Sequence, residues 1–134
     1  MTMDADALAG INQALARYVD GVNRRDAALW GSSWDEDAEW TLFGPEPVRG
    51  RDAIVAAWIE AMKAFPFVVM HATQGAVTID QDVAQGRSYT SEVAETADGR
   101  RLRVWGCYED GYRRRDGEWR FSQRAFSILK SEDY

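Results

Sequence analysis

The chain has one cysteine, Cys107, and one histidine, His71, in 134 residues. A single thiol rules out an internal disulfide, and the two side chains together cannot supply the clustered ligands of a zinc or iron-sulfur centre. Neither a metal nor a cofactor is expected. Basic residues are also in the minority, 16 Lys and Arg against 22 Asp and Glu, for a net charge of -6. That balance argues against polyanions, and so against nucleic acid as a partner. No run approaches the roughly 18 apolar residues that span a membrane, and the first ten residues, with Asp4 and Asp6, contain no continuous apolar stretch of the kind a secretory leader needs. A cytoplasmic protein without a membrane partner is the expectation. Gly-rich phosphate loops, the nucleophile elbow and the HExxH pattern are absent as well.

What the chain does have is apolar and aromatic bulk: 46% hydrophobic residues, with six Trp, five Tyr and five Phe. That suffices for one domain over 1–134 with a roomy interior. Leu8, Ile11, Leu15, Tyr18, Val19 and Val22 recur at three- and four-residue spacing, which predicts a helix over Asp6–Val22, capped by Asp4 or Asp6. A second helix is expected over Asp26–Trp34, and a strand over Glu39–Phe43 ends at the Gly44-Pro45-Glu46-Pro47 loop. The third helix, Asp52–Ala64, buries Ile54, Val55, Trp58, Ile59 and Met62 and stops before Pro66.

Beyond Pro66 the period changes to two. Turn signals at Asp80-Gln81-Asp82, Asp98-Gly99 and Asp116-Gly117 divide the rest into an antiparallel meander. Leu102, Val104, Tyr108 and Tyr112 alternate with Arg101, Arg103, Glu109 and Arg113, giving one dry and one wet face. Trp105 and Cys107 interrupt the wet set, so a homodimer through that open sheet face is expected. Helices followed by strands imply an α+β domain, with helices on one face of a curved sheet.

His71 ends the run Phe67-Val68-Val69-Met70-His71, where alternation puts it with Phe67 and Val69, both ordinary core residues. It is expected to point inward, either as a structural histidine or as a general base. A base needs an orienting partner. Asn23 falls at the margin of the first helix's apolar stripe, whereas Asp20 falls nearly opposite its centre, so Asn23 is the better-placed residue. Tyr18, Trp40, Phe43 and Trp58 are each plain core candidates and together would line a pocket.

Three stretches carry a resemblance: Gly21-Val22-Asn23-Arg24-Arg25, Trp34-Asp35-Glu36-Asp37-Ala38-Glu39-Trp40-Thr41, and Tyr112-Arg113-Arg114-Arg115-Asp116-Gly117-Glu118-Trp119-Arg120-Phe121-Ser122. The chain resembles the SnoaL-like members of the nuclear transport factor 2-like superfamily over nearly its whole length. Among these it looks like the hexachlorocyclohexane dehydrochlorinases and, more distantly, the scytalone dehydratases. The resemblance implies the cone-shaped, cystatin-like form of the α+β fold: three N-terminal helices on a strongly curved, mostly antiparallel sheet around a deep pocket. In those lyases an aspartate at the end of the first helix orients a strand histidine, which removes a proton beside the leaving group. His71 matches the base, and Asn23 stands where the family has the aspartate. Arg124 matches a last-strand position that binds the departing halide in some dehydrochlorinases. The region of scytalone dehydratase's second histidine reads Gly86-Arg87-Ser88-Tyr89 here.

The resulting expectation is a cofactor-free lyase or isomerase acting on a small apolar or aromatic ring compound. His71 and Asn23 would be catalytic, and Tyr18, Trp40, Phe43, Trp58, Ser88, Tyr108, Arg124 and Phe126 would bind substrate. On this reading Asn23→Asp raises the basicity of His71 and with it the turnover. The alternative is a non-catalytic binding or assembly module of the same fold. Epoxide opening would need a carboxylate, for which Asp20 and Glu92 are the candidates.

Overall fold

The computed structural model describes residues 4–42 and 44–134. Helix α1 covers Ala5–Arg24, its start fixed by the Asp4 carboxylate, which accepts the Ala7 N–H at 3.1 Å. Its apolar stripe of Ile11, Ala14, Leu15, Tyr18 and Val22 is buried. The chain then reverses through Arg25, whose left-handed backbone lets its guanidinium bond the carbonyls of Met62 and Phe65.

Helix α2 is shorter than the sequence suggests. It spans Ala27–Gly31 rather than running on to Trp34. The Ser32 and Ser33 hydroxyls turn back onto the Leu29 and Trp30 carbonyls at 2.6 and 2.7 Å, competing with the next helical turn. Trp34 therefore opens strand β1, Trp34–Thr41, which starts five residues before the expected strand. A two-residue strand β2, Val48–Arg49, leads into helix α3, Arg51–Met62.

Strands β3 (Phe67–Asp80), β4 (Val83–Glu95), β5 (Arg101–Arg115) and β6 (Glu118–Asp133) form the meander, turning at the three predicted places. The sheet order is β2-β1-β6-β5-β4-β3, with β1 parallel to β6 and β3 at one edge. The α+β layering of three helices against a curved sheet is thus as the chain's patterning implies. Between the helices and the sheet lies an aromatic core in which Trp30 stacks on Trp58 at 4.7 Å between ring centroids and meets Trp34 and Trp40 edge-on. On the outer face of the sheet Phe67 and Tyr89 are exposed. Trp105 is half-buried there beneath the Lys130 ammonium, 5.7 Å from its ring centroid. No helix among the described residues is long and apolar enough to cross a membrane.

The contact between α1 and α2 demands a glycine. A Cβ on Gly21 would lie 2.5 Å from both Cα and Cβ of Trp30, so α1 and α2 touch only because position 21 has no side chain. Gly21→Ala should force the helices apart and cost about 1–3 kcal/mol of unfolding free energy, measurable by chemical denaturation.

Candidate functional site

A cavity of about 340 Å³ opens between the helices and the concave side of the sheet. Its wall is mostly apolar: Val22 from α1, Leu42, Trp58 and Met62 from the α3 side, Val68 and Met70 from β3, Ala94 from β4, and Leu102 and Val104 from β5. Of the residues expected to bind substrate, Tyr18, Trp40, Trp58, Tyr108 and Phe126 line it. Phe43 lies outside the described residues. Phe126 reaches the cavity across Gly106, where a Cβ would sit 2.2 Å from its ring carbon Cε1.

His71 is not in this cavity. It does share a face with Phe67 and Val69, but that face is the outer one, and all three alternate with the inward-facing Val68, Met70 and Ala72. His71 pairs in register with Ser91 and Trp105, all on the wet side, while Met70 pairs with Glu92 and Val104 on the cavity side. The side chain aimed inward at this level of β3 is therefore a methionine.

Asn23 does reach β3, as its spacing implies, but it bonds the backbone. Its Oδ1 accepts the Met70 N–H at 2.7 Å and its Nδ2 donates to the Met70 carbonyl at 2.9 Å. Because β3 is an edge strand, this N–H and C=O face away from β4, and the amide satisfies both. The expected His71–Asn23 pair is not formed. A carboxylate at position 23 would lose the donor and set its charge against the Met70 carbonyl. That overturns the expectation that Asn23→Asp activates a base.

Ser88 and Arg124 sit behind the wall rather than in it. The Arg124 side chain is wholly buried. Its Nε donates to Asp110 Oδ1 at 2.7 Å and its Nη2 to Asp110 Oδ2 and Ser88 Oγ, while Ser88 Oγ donates to Asp110 Oδ2 at 2.9 Å. The guanidinium carbon stacks 3.8 Å from the ring centroid of Tyr108, 4.2 Å from Phe121 and 4.4 Å from Tyr18. Burial opposes the charge, but Asp110 and the tyrosine rings hold its pKa above the ordinary arginine value. Nη1 has no partner among the described residues.

Over this cation the Tyr18 and Tyr108 hydroxyls meet at 3.1 Å, both buried. Burial raises both pKa values, and Arg124 pulls each down. Glu92 also lines the cavity, as do Arg100 and Ser131; it lies between Met70 and Val104 in the sheet register. It makes no hydrogen bond or ion pair among the described residues, and burial pushes its carboxyl up to about 7. Its charge is felt at both tyrosine hydroxyls.

Asp110 escaped the sequence reading, yet it shares an inward register with Tyr108 and Tyr112. A carboxylate in an apolar register signals a buried charge that must find a cation. Glu92 had a fainter signal: the inward face of β4 reads Ser88, Thr90, Glu92, Ala94, a polar column that alternation alone does not assign to the interior.

Comparison with known proteins agrees with this fold. The model of the SnoaL-like domain matches residues 3–125. No curated protein matches the chain. Among solved structures, a type 2 hexachlorocyclohexane dehydrochlorinase superposes with a TM-score of 0.87 at 22% identity, over 98% of this chain and 93% of that one. A candidate scytalone dehydratase from Novosphingobium aromaticivorans gives 0.86 at 19% identity over 96% and 87%. A ketosteroid isomerase-like protein from Erwinia carotovora atroseptica gives 0.84 at 20% over 95% and 99%. At such identities the likeness is one of fold.

Two outcomes follow. Asn23→Asp should destabilise the protein by about 1–2 kcal/mol in urea unfolding, with no gain in any activity. The Glu92 carboxyl is near 4.5 when free and about 7 here, so the folded state binds the proton more tightly. Stability therefore falls as pH rises through that window, and the full cost stands above it. Glu92→Gln should stabilise the protein by up to about 3 kcal/mol at pH 8, and hardly at all near pH 4, when urea unfolding is compared at the two pH values.

Proposed function

The chain belongs to the SnoaL-like domain family, and we propose that it is a lyase or isomerase whose own side chains move a proton on a small, largely apolar ring compound. The observation that carries this is Glu92: a carboxylate without a protein partner, facing an apolar cavity, with a pKa of about 7. A group tuned close to working pH exchanges protons in both directions at little cost, which is the property of a general acid-base catalyst. Structural carboxylates are instead paired, as Asp110 is with Arg124.

Glu92 takes the part that the resemblance gave to His71, whose ring lies across the sheet from the cavity. The charged carboxylate accepts a proton from bound substrate, and the negative charge that develops falls to the Tyr18–Tyr108 hydroxyls backed by Arg124. Dehydrochlorinase and dehydratase among the structural neighbours agree with proton removal as the class of reaction.

The test is an assay of cyclic chlorinated, hydroxylated and ketonic compounds for carbon-bound hydrogen lost to D2O. Glu92→Gln should lose about 10²–10⁴-fold in rate. His71→Ala should keep the full rate, and the wild-type rate should climb as pH rises through about 7, where Glu92 becomes charged. Equal rates in wild type and Glu92→Gln would refute the assignment.

A further inference from the structure

One stretch of the cavity wall covers a polar group instead of presenting it. A Cβ on Gly106 would lie 2.2 and 2.4 Å from Cε1 and Cζ of the Phe126 ring and 2.9 Å from Thr90 Oγ1. The tip of the ring therefore rests on bare β5 backbone beside the threonine hydroxyl, and Phe126 forms the wall where Thr90 and Gly106 do not. Glycine weakens the interior of a strand and marks a place of close approach. What this approach hides is Thr90, 4% exposed, whose Oγ1 has no hydrogen-bond partner among the described residues. An orphaned buried hydroxyl costs stability that an apolar side chain of the same shape would avoid.

The ring has room to move. Phe126 is half-buried and meets the Tyr108 ring at 4.9 Å between centroids, while the next inward residue of β6, Ile128, is 52% exposed. A turn about the side-chain torsions toward Ile128 would uncover Gly106 and Thr90, which pair with each other and with Ile128 in one row across the sheet. We propose that Phe126 is a movable partition and that the space it covers is a second compartment of the cavity, floored by Gly106 and ended by the Thr90 hydroxyl, for the terminal hydroxyl of an extended aromatic ligand. The vacated space is that of one phenyl ring, so a flat ring fits it. A threonine hydroxyl both donates and accepts, which suits another hydroxyl. A carboxylate is disfavoured there, because Glu92 stands two residues along on the same inward face of β4. The compartment is a matter of binding and stands whether or not Glu92 moves a proton.

The probes are 4-phenylphenol and biphenyl, which differ by one hydroxyl, titrated calorimetrically into wild type, Thr90→Val, Thr90→Ser and Phe126→Ala. Phe126→Ala should bind both about tenfold more tightly, because the ligand no longer has to displace a ring. The 4-phenylphenol-to-biphenyl affinity ratio should fall about three- to tenfold in Thr90→Val and return toward the wild-type value in Thr90→Ser. In wild type, NMR should show an intermolecular Overhauser contact between bound 4-phenylphenol and the Gly106 α-protons, which the ring otherwise covers. A ratio that Thr90→Val leaves unchanged overturns the hydroxyl seat. Equal affinities in wild type and Phe126→Ala, or no contact to Gly106, overturn the partition, and the contact decides alone should Phe126→Ala not fold. Failure of both probes to bind either protein overturns the whole proposal.

Discussion

A buried guanidinium organises the interior of this protein. Moving a cation out of water costs several kcal/mol, recovered only where the geometry around it is nearly complete. Arg124 meets that demand by drawing on four elements at once: Asp110 and the Tyr108 ring on β5, Ser88 on β4, the Phe121 ring on β6 itself, and the Tyr18 ring on α1. The helix is thereby clamped to the sheet beside the cavity that Tyr18 and Tyr108 line. The Tyr18–Tyr108 hydroxyl pair follows from the same constraint, because both rings are held against one cation.

The medium that makes this cation so demanding also sets the chemistry of the cavity. Charges interact strongly and are poorly solvated in an apolar interior. Asp110 lies in hydrogen-bonded contact with Arg124, whereas Glu92, with no cation bonded to it, is pushed up to about 7. Two carboxylates facing the same side of neighbouring strands thus acquire opposite characters. One completes an ion pair, and the other is left free to exchange a proton.

Position 71 shows how narrow the margin between the two faces of a strand is. Phe67, Val69 and His71 do lie on one face, as alternation requires, but three apolar-looking positions do not reveal which face meets the core. Asn23 decides it in the folded chain, by taking the Met70 N–H and carbonyl and fixing the edge strand with Met70 inward. The 48-residue step from Asn23 to His71 brings the right elements together and misses the right side chain by one residue.

Local physics, written in the order of residues, determined the element types, the three turns of the meander, the stop at Pro66 and the aromatic lining at Tyr18, Trp40, Trp58, Tyr108 and Phe126. Helical and strand periods, glycine's backbone freedom and proline's missing N–H act over a few residues and can be read there. The early end of α2 also had a local cause, but two serines turning back on their own helix become visible only once it forms. Tertiary structure alone decided that His71 faces outward, that Asp110 balances Arg124, and that Glu92 enters an apolar cavity. Each of these depends on the low dielectric and the strand register created when α1 closes over the sheet, and a carboxylate acquires its pKa from that enclosure rather than from its neighbours in the chain.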